Sequence, residues 1–320
     1  MVAANSKLEL NPDMASLGSV PSVVLGFLLV FLAGESSLRA EAVVRVVATT
    51  SLVGDLVREV GGARVSVKSL MGPGMDPHSY QPTPSDLRAL QDADLVAFHG
   101  LHLEGRMQTV LQRLRSRRAH VVAITEDLPV TRLRRVGEGD GAYDPHVWFE
   151  VALWRECIGT VVGALVRADP AGAESYRTQG EVLRMRLLAL DEWVRRELAA
   201  IPPERRVLVT SHDAFGYFGR AYDFEVIGLQ GVSTVGEAAL SAMTGLTQLL
   251  ARRRIPAIFV ESSVSPKAIQ RVAADAGVRV GGELYSDSLG APGRSADGID
   301  PSTYEGMVRH NVRTLVSALR

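Results

Sequence analysis

From Ala171 to Ala200 the chain runs for about 30 residues without a proline, and its only glycines there are Gly172 and Gly180. Val182, Leu183, Leu187, Leu190, Trp193, Val194 and Leu198 recur at helical spacing along it. Asp169-Pro170 precedes the stretch and Pro202-Pro203 ends it, as expected of a residue that lacks an N–H and clashes with the preceding turn. At 1.5 Å per residue such a helix is a rod of about 45 Å. A rod of that length spans the height of a protein this size, so it has to join what lies on either side of it.

On both sides the pattern alternates between strand and helix. Before the rod, Val43–Ala48, Arg64–Leu70, Leu95–Phe98 and His120–Ile124 read as strands, with helical patterns at Leu52–Val60 and Met107–Leu114. After it, Val207–Thr210, Glu225–Ile227, Ala257–Val260 and Arg279–Val280 read as strands, and Ala238–Arg253, Pro266–Ala276 and Thr303–Leu319 as helices. That spacing predicts βα units on parallel sheets. The expected fold is α/β: two (βα)-type lobes with parallel-rich sheets joined by one long backbone helix. The expected division is 43–168 for the N-terminal lobe, 169–201 for the linking helix and 202–320 for the C-terminal lobe. A chain of 320 residues has ample core for this. Its formal net charge of −1 gives no electrostatic reason to expect nucleic acid.

Residues 1–42 read as a signal peptide. Val20–Ala33 is an apolar run of 14 residues, short of the roughly 20 that span a bilayer, and Ala40-Glu41-Ala42 has the small-x-small form of a cleavage site. Lys7 is offset by Glu9 and Asp13, so Met14 is an alternative start. Removing residues 1–42 takes away two basic and four acidic side chains and moves the formal charge from −1 to +1. The single cysteine, Cys157, lies in an apolar helical pattern far from this region. The expected product is therefore periplasmic, soluble and not lipid-anchored.

Two loops carry the chemistry. Gly74-Met75-Asp76-Pro77-His78 continues through Ser79-Tyr80-Gln81-Pro82-Thr83-Pro84-Ser85-Asp86, and Asp-Pro-His returns as Asp144-Pro145-His146, in a chain with seven histidines. Proline stiffens its own residue and the one before it, so each loop aims an imidazole with a carboxylate close behind, as a metal ligand requires. Thr83-Pro84-Ser85-Asp86 is a helix start. His212 and Asp287 also sit where a predicted strand ends, the place where open α/β sheets bind ligands. Three imidazoles and one carboxylate suit a borderline divalent ion such as Zn2+ or Mn2+. The intervals of 68, 66 and 75 residues between His78, His146, His212 and Asp287 require tertiary assembly. On spacing alone, a hydrogen-bonded structural role for each histidine stays open. His99 and His102 read as packing or hydrogen-bonding residues, His120 as solvated, and His310 as capping or packing. Glu261 reads as a structural acceptor, and Trp148, Phe215, Tyr217 and Phe218 as an apolar shell.

The chain resembles the cluster A-I solute-binding receptors of metal-ion ABC transporters, the TroA/ZnuA/PsaA group. The resemblance rests on Met75-Asp-Pro-His-Ser-Tyr-Gln-Pro-Thr-Pro-Ser-Asp86, Gly100-Leu-His-Leu-Glu-Gly105, Asp144-Pro-His-Val-Trp148, Thr210-Ser-His-Asp-Ala-Phe-Gly-Tyr-Phe218 and Gly282-Glu-Leu-Tyr-Ser-Asp287. Gly231-Val-Ser-Thr234 and Ile258-Phe-Val-Glu-Ser-Ser263 bring it nearest the TroA type. The likeness covers the chain from about Val43 onward. It implies a metal site in the cleft between the lobes, ligands His78, His146, His212 and Asp287, and a monomer that carries a divalent ion to a membrane permease. It also implies a rigid joining helix and only modest lobe movement. Manganese-type relatives resemble this site but carry glutamate where this chain has His212, and many zinc-type relatives have a histidine-rich loop before the second Asp-Pro-His. Here that loop, Thr131–Tyr143, has no histidine. The protein is expected not to be an enzyme. The rival reading is a secreted zinc hydrolase using the same ligands, against which stand the four protein ligands and the lack of a His-Glu-x-x-His motif.

Overall fold

The first strand, Val44–Ala48 (β1), has valine at three of its five positions and buries all but Arg45, as a central parallel strand needs. The computed structural model describes residues 43–118, 120–137, 142–293 and 298–320; the signal-peptide expectation for residues 1–42 lies outside them. The chain turns from β1 into helix α1 (Ser51–Gly61), where the Thr50 side chain accepts the Val53 N–H. It returns through β2 (Val65–Ser69) and crosses by helix α2 (Pro84–Asp92) to β3 (Leu95–Phe98). Helix α3 (Gln108–Arg115) then leads to β4 (Val121–Ala123). The four strands form one parallel sheet in the order β2-β1-β3-β4. Thr83 and Asp86 form a reciprocal capping box at α2, with Pro84 at the first helical position.

Three elements follow the second Asp-Pro-His: α4 (Val151–Trp154), α5 (Cys157–Ala168) and the long helix α6 (Ala173–Leu198). At 26 residues α6 is shorter than the sequence suggests, because Pro170–Gly172 form a separate 3-10 turn. The second half holds β5 (Val207–His212), α7 (Gly216–Tyr222), β6 (Glu225–Gln230), α8 (Leu240–Arg253), β7 (Ala257–Glu261), α9 (Lys267–Ala276), β8 (Arg279–Leu284) and α10 (Tyr304–Leu319). β5 pairs with β6 and β7 with β8, both in parallel, and β5 lies beside β7. The result is a two-lobed α/β fold. Among the described residues no helix is long and apolar enough to cross a membrane.

α6 buries Tyr176, Gly180, Leu183, Leu187, Leu190, Val194 and Leu198. Val182, part of the apolar sequence pattern, is instead 49% exposed. Trp193 is half-buried, with the Arg309 guanidinium 4.6 Å over its ring. The buried stripe belongs to one apolar core that includes Val46 and Val57, Ile158, Leu187 and Phe215, and Leu315 and Leu319 in α10. Two smaller clusters cover the far faces of the sheets, around Phe98 and Met107 in one lobe and Val209 and Leu250 in the other. Polar contacts follow the same path: Asp55 of α1 accepts the Tyr304 N–H at the start of α10, and Arg186 of α6 pairs with both Glu59 and Glu305.

Leu187 is 1% exposed. Leu187→Ala should therefore lower stability by about 2–5 kcal/mol in denaturant unfolding. Because one core runs through both lobes, the variant should still unfold in a single cooperative step. Two separated transitions would show lobes that unfold independently.

Candidate metal centre

Each of the two Asp-Pro-His segments builds a turn before it presents an imidazole. Asp76 accepts the His78 backbone N–H at 2.9 Å and the Ser79 hydroxyl at 2.7 Å. Downstream, Tyr80 and Thr83 hydroxyls both donate to Asp86 Oδ2 at 2.7 Å, which ties the loop to the start of α2. In the second segment Asp144 Oδ1 accepts the His146 N–H at 3.0 Å and also its ring Nδ1–H at 2.8 Å. That bond sets the tautomer and leaves Nε2 as a bare donor atom. The two segments are thus not equivalent, because only the second carboxylate reaches its imidazole.

His212 closes β5, and a third carboxylate stands behind it. Glu261, at the end of β7, accepts the His212 N–H at 2.9 Å, and its other oxygen lies 2.6 Å from Nδ1. That second contact is a close charge contact and not a well-aligned hydrogen bond, since neither atom has a partner of good geometry. Asp287 follows β8 and receives the Ser263 hydroxyl at 3.2 Å.

The structure brings His78, His146, His212 and Asp287 together. One ligand atom from each lies within 4.8 Å of all the others. His146 Nε2 is 3.3 Å from His78 Nε2, 3.4 Å from His212 Nε2 and 3.3 Å from Asp287 Oδ1. His212 Nε2 is 3.4 Å from Asp287 Oδ2. A tetrahedron with ligand bonds of about 2.0–2.1 Å has edges of about 3.3–3.4 Å, the spacing that His146 Nε2 keeps from both neighbouring imidazoles. Relative exposures are 5% for His78, 0% for His146 and His212, and 1% for Asp287.

Burial and charge pull the four apart electrostatically. His78, with no carboxylate on its ring, is pushed down to about 4 by burial and by the neighbouring imidazoles, against the opposing pull of Asp287. Burial alone would also lower His146, but the Asp144 and Asp287 carboxylates raise it above its ordinary value. His212 is raised further in the same way by Asp287 and Glu261. Burial would raise Asp287, but His212 and His146 hold it well below the usual carboxylate range. The carboxylates thus favour the protonated form of His146 and His212, and burial favours the neutral form of His78.

The remaining histidines lie outside the cluster. His99 is fully buried, 2.6 Å from the Pro145 carbonyl through Nε2, and stacked on Trp154, with burial pushing it down to about 3. It supports the loop that carries His146. His120 is exposed, and His310 contacts the Glu283 carbonyl at 3.0 Å. His102 is exposed at a left-handed turn, φ 64°. Of the expected aromatic shell, Trp148 lies 5.1 Å from the His146 ring. Phe215 packs on Phe149, and Phe218 on Tyr222 and Phe224. Tyr217 acts through its hydroxyl, which donates to the Asp144 carbonyl at 3.0 Å.

Sequence reasoning missed Arg134, whose guanidinium holds Asp144 from behind. A Cβ on Gly216 would sit 1.1 Å from that guanidinium, so glycine at 216 is what admits it. The glycine in Ala214-Phe215-Gly216-Tyr217 is the one signal that points there, and it names no partner.

Residues 46–318 match the family model described as ZnuA, the zinc-uptake complex component A, periplasmic. The manganese-binding lipoprotein MntA of Bacillus subtilis is 43% identical, with 90% of this chain and 92% of the relative covered. The zinc-binding protein TroA of Treponema pallidum is also 43% identical, with 89% and 92% covered. The solved structure of the periplasmic zinc-binding protein TroA from Treponema pallidum superimposes with a TM-score of 0.82 at 42% identity, over 87% of this chain and 99% of that one. These relatives correct one expectation. A soluble product without a lipid anchor was inferred from the lack of a cysteine near residue 42. Yet the Bacillus subtilis relative is named a lipoprotein, and so are relatives from Halalkalibacterium halodurans and Streptococcus mutans. Cysteine position in this chain is thus no ground for an unanchored form. On the match over residues 46–318 and these identities, the chain belongs to the ZnuA/TroA family of metal-binding solute receptors that serve ABC transporters.

Proposed function

We propose that His78, His146, His212 and Asp287 hold one divalent ion, Zn2+ or Mn2+, as transported cargo, and that the protein passes it to the permease of an ABC transporter. The observation that carries this reading is the convergence of three buried imidazoles and one buried carboxylate within 4.8 Å. Relatives named for zinc and for manganese support the choice of ions. Three nitrogens and one oxygen favour zinc, which also exceeds manganese in the divalent affinity order. The protein acts as a monomer, and a net charge of −1 gives it no attraction to nucleic acid. It has no catalytic role: four protein ligands complete a tetrahedral shell, and Asp144 and Glu261 are both engaged by site histidines.

Purified protein analysed by mass spectrometry should carry about one zinc or manganese per chain, lost in His212→Ala. His212→Glu should shift the preference toward manganese. No bound metal, and none taken up after chelation and refilling, would end the receptor reading.

The raised His146 and His212 fix the sign of the pH dependence. Their protons must leave before the ion can enter, so affinity should rise with pH through the ordinary imidazole range near 6.5 and beyond it. Calorimetry at neutral pH in buffers of different ionisation enthalpy should find protons released on zinc binding, and more of them than unperturbed histidines would give. Glu261→Gln removes the charge behind His212 and should weaken zinc binding by about 10–100-fold.

A further inference from the structure

The segment Gly231-Val-Ser-Thr234 follows β6 and contributes no ligand, yet it reaches the other lobe. The Thr234 hydroxyl donates to Asp76 Oδ2 at 2.6 Å. The same Asp76 side chain accepts the backbone N–H of His78 at 2.9 Å. One carboxylate therefore couples the backbone of a site histidine in the first half of the chain to a hydroxyl from the second half. Beside it, the Gly74 N–H donates to Ser288 Oγ at 2.8 Å, one residue beyond Asp287. The loop that carries His78 is held from across the cleft at two points.

Other bonds across the cleft lie deeper. Trp148 donates through Nε1–H to the Ser286 carbonyl at 2.9 Å, and its own carbonyl accepts the Tyr304 hydroxyl at 2.7 Å. Trp148 is 0% exposed, so no water can replace a lost partner, and breaking those bonds costs the full desolvation of each group. Asp76 and Thr234 are only half-buried, and water can take over from either. The contact between them can open while the deep bonds persist.

We propose that Thr234 is a positioning residue for metal retention: by holding Asp76 from the opposite lobe, its hydroxyl keeps His78 on the ion and slows the ion's escape. This rests on the assignment of the four ligands above. A hydrogen bond to a carboxylate is about twice as strong as a neutral one, and differences among variants of one site fall mostly in dissociation, so its loss should appear in the rate at which the ion leaves.

The test uses the whole chain loaded with Zn2+ alone and follows transfer of zinc to a chelating dye. Thr234→Val keeps the shape and removes the donor, and zinc should leave about tenfold faster with association unchanged. Thr234→Ser restores the hydroxyl and should return the rate to within about twofold of the unmodified protein. Metal-free melting of both variants should match it, and if the valine variant melts lower, the serine variant carries the comparison. Release from the valine variant at the unmodified rate, or release from the serine variant as fast as from valine, would overturn the role of Thr234 alone. An unmodified chain that takes up no zinc would overturn the ligand assignment and this role with it.

Discussion

A carboxylate without water organises this protein. Asp287 is 1% exposed, and an isolated buried charge costs several kcal/mol unless it is paired. The fold meets that demand by setting the imidazoles of His146 and His212 against it, 3.3 and 3.4 Å away; in the role proposed above a divalent ion would meet it as well. The carboxylates behind these histidines serve the same end. Asp144 and Glu261 turn two imidazoles so that their Nε2 atoms face Asp287, and Arg134 keeps Asp144 from being a second unpaired charge. His78 lacks such support on its ring, and burial favours its neutral form.

The aim of these side chains depends on stiff backbone. His212 ends a fully buried strand, Asp287 lies three residues past the end of β8, and the two Asp-Pro-His turns are closed by their own aspartates. Around them one apolar core passes from β1 to α10 without a break at α6. A tetrahedral shell tolerates little displacement of its donors, and side chains packed at interior density give little. Precision at the site is therefore a property of the whole chain and not of the four ligands.

Much of this is legible in the sequence. The βα alternation, the long helix and the helix start at Thr83 follow from local rules, and the structure differs from them mainly at element ends. What is not legible has identifiable causes. α5, read as an apolar helical pattern around Cys157, has bounds the sequence does not give, because apolar residues and two glycines fill it without a clear polar face. α7 is 7 residues long with two glycines of its own. Assembly of the quartet over intervals of 66 to 75 residues is a tertiary fact that spacing cannot yield, and the motifs shared with known receptors supplied it. Arg134 shows the limit most plainly, since nothing local pairs an arginine in one loop with a glycine far along the chain.

The unbroken core at α6 has one more consequence. A protein whose halves share their interior has no soft joint, so widening the cleft means forcing packed side chains out of register. Thermal motion alone supplies that work rarely. A surface that grips both halves at once can supply it through the favourable contacts it makes. On the role proposed above, discharge of the cargo then becomes conditional on an encounter with such a surface.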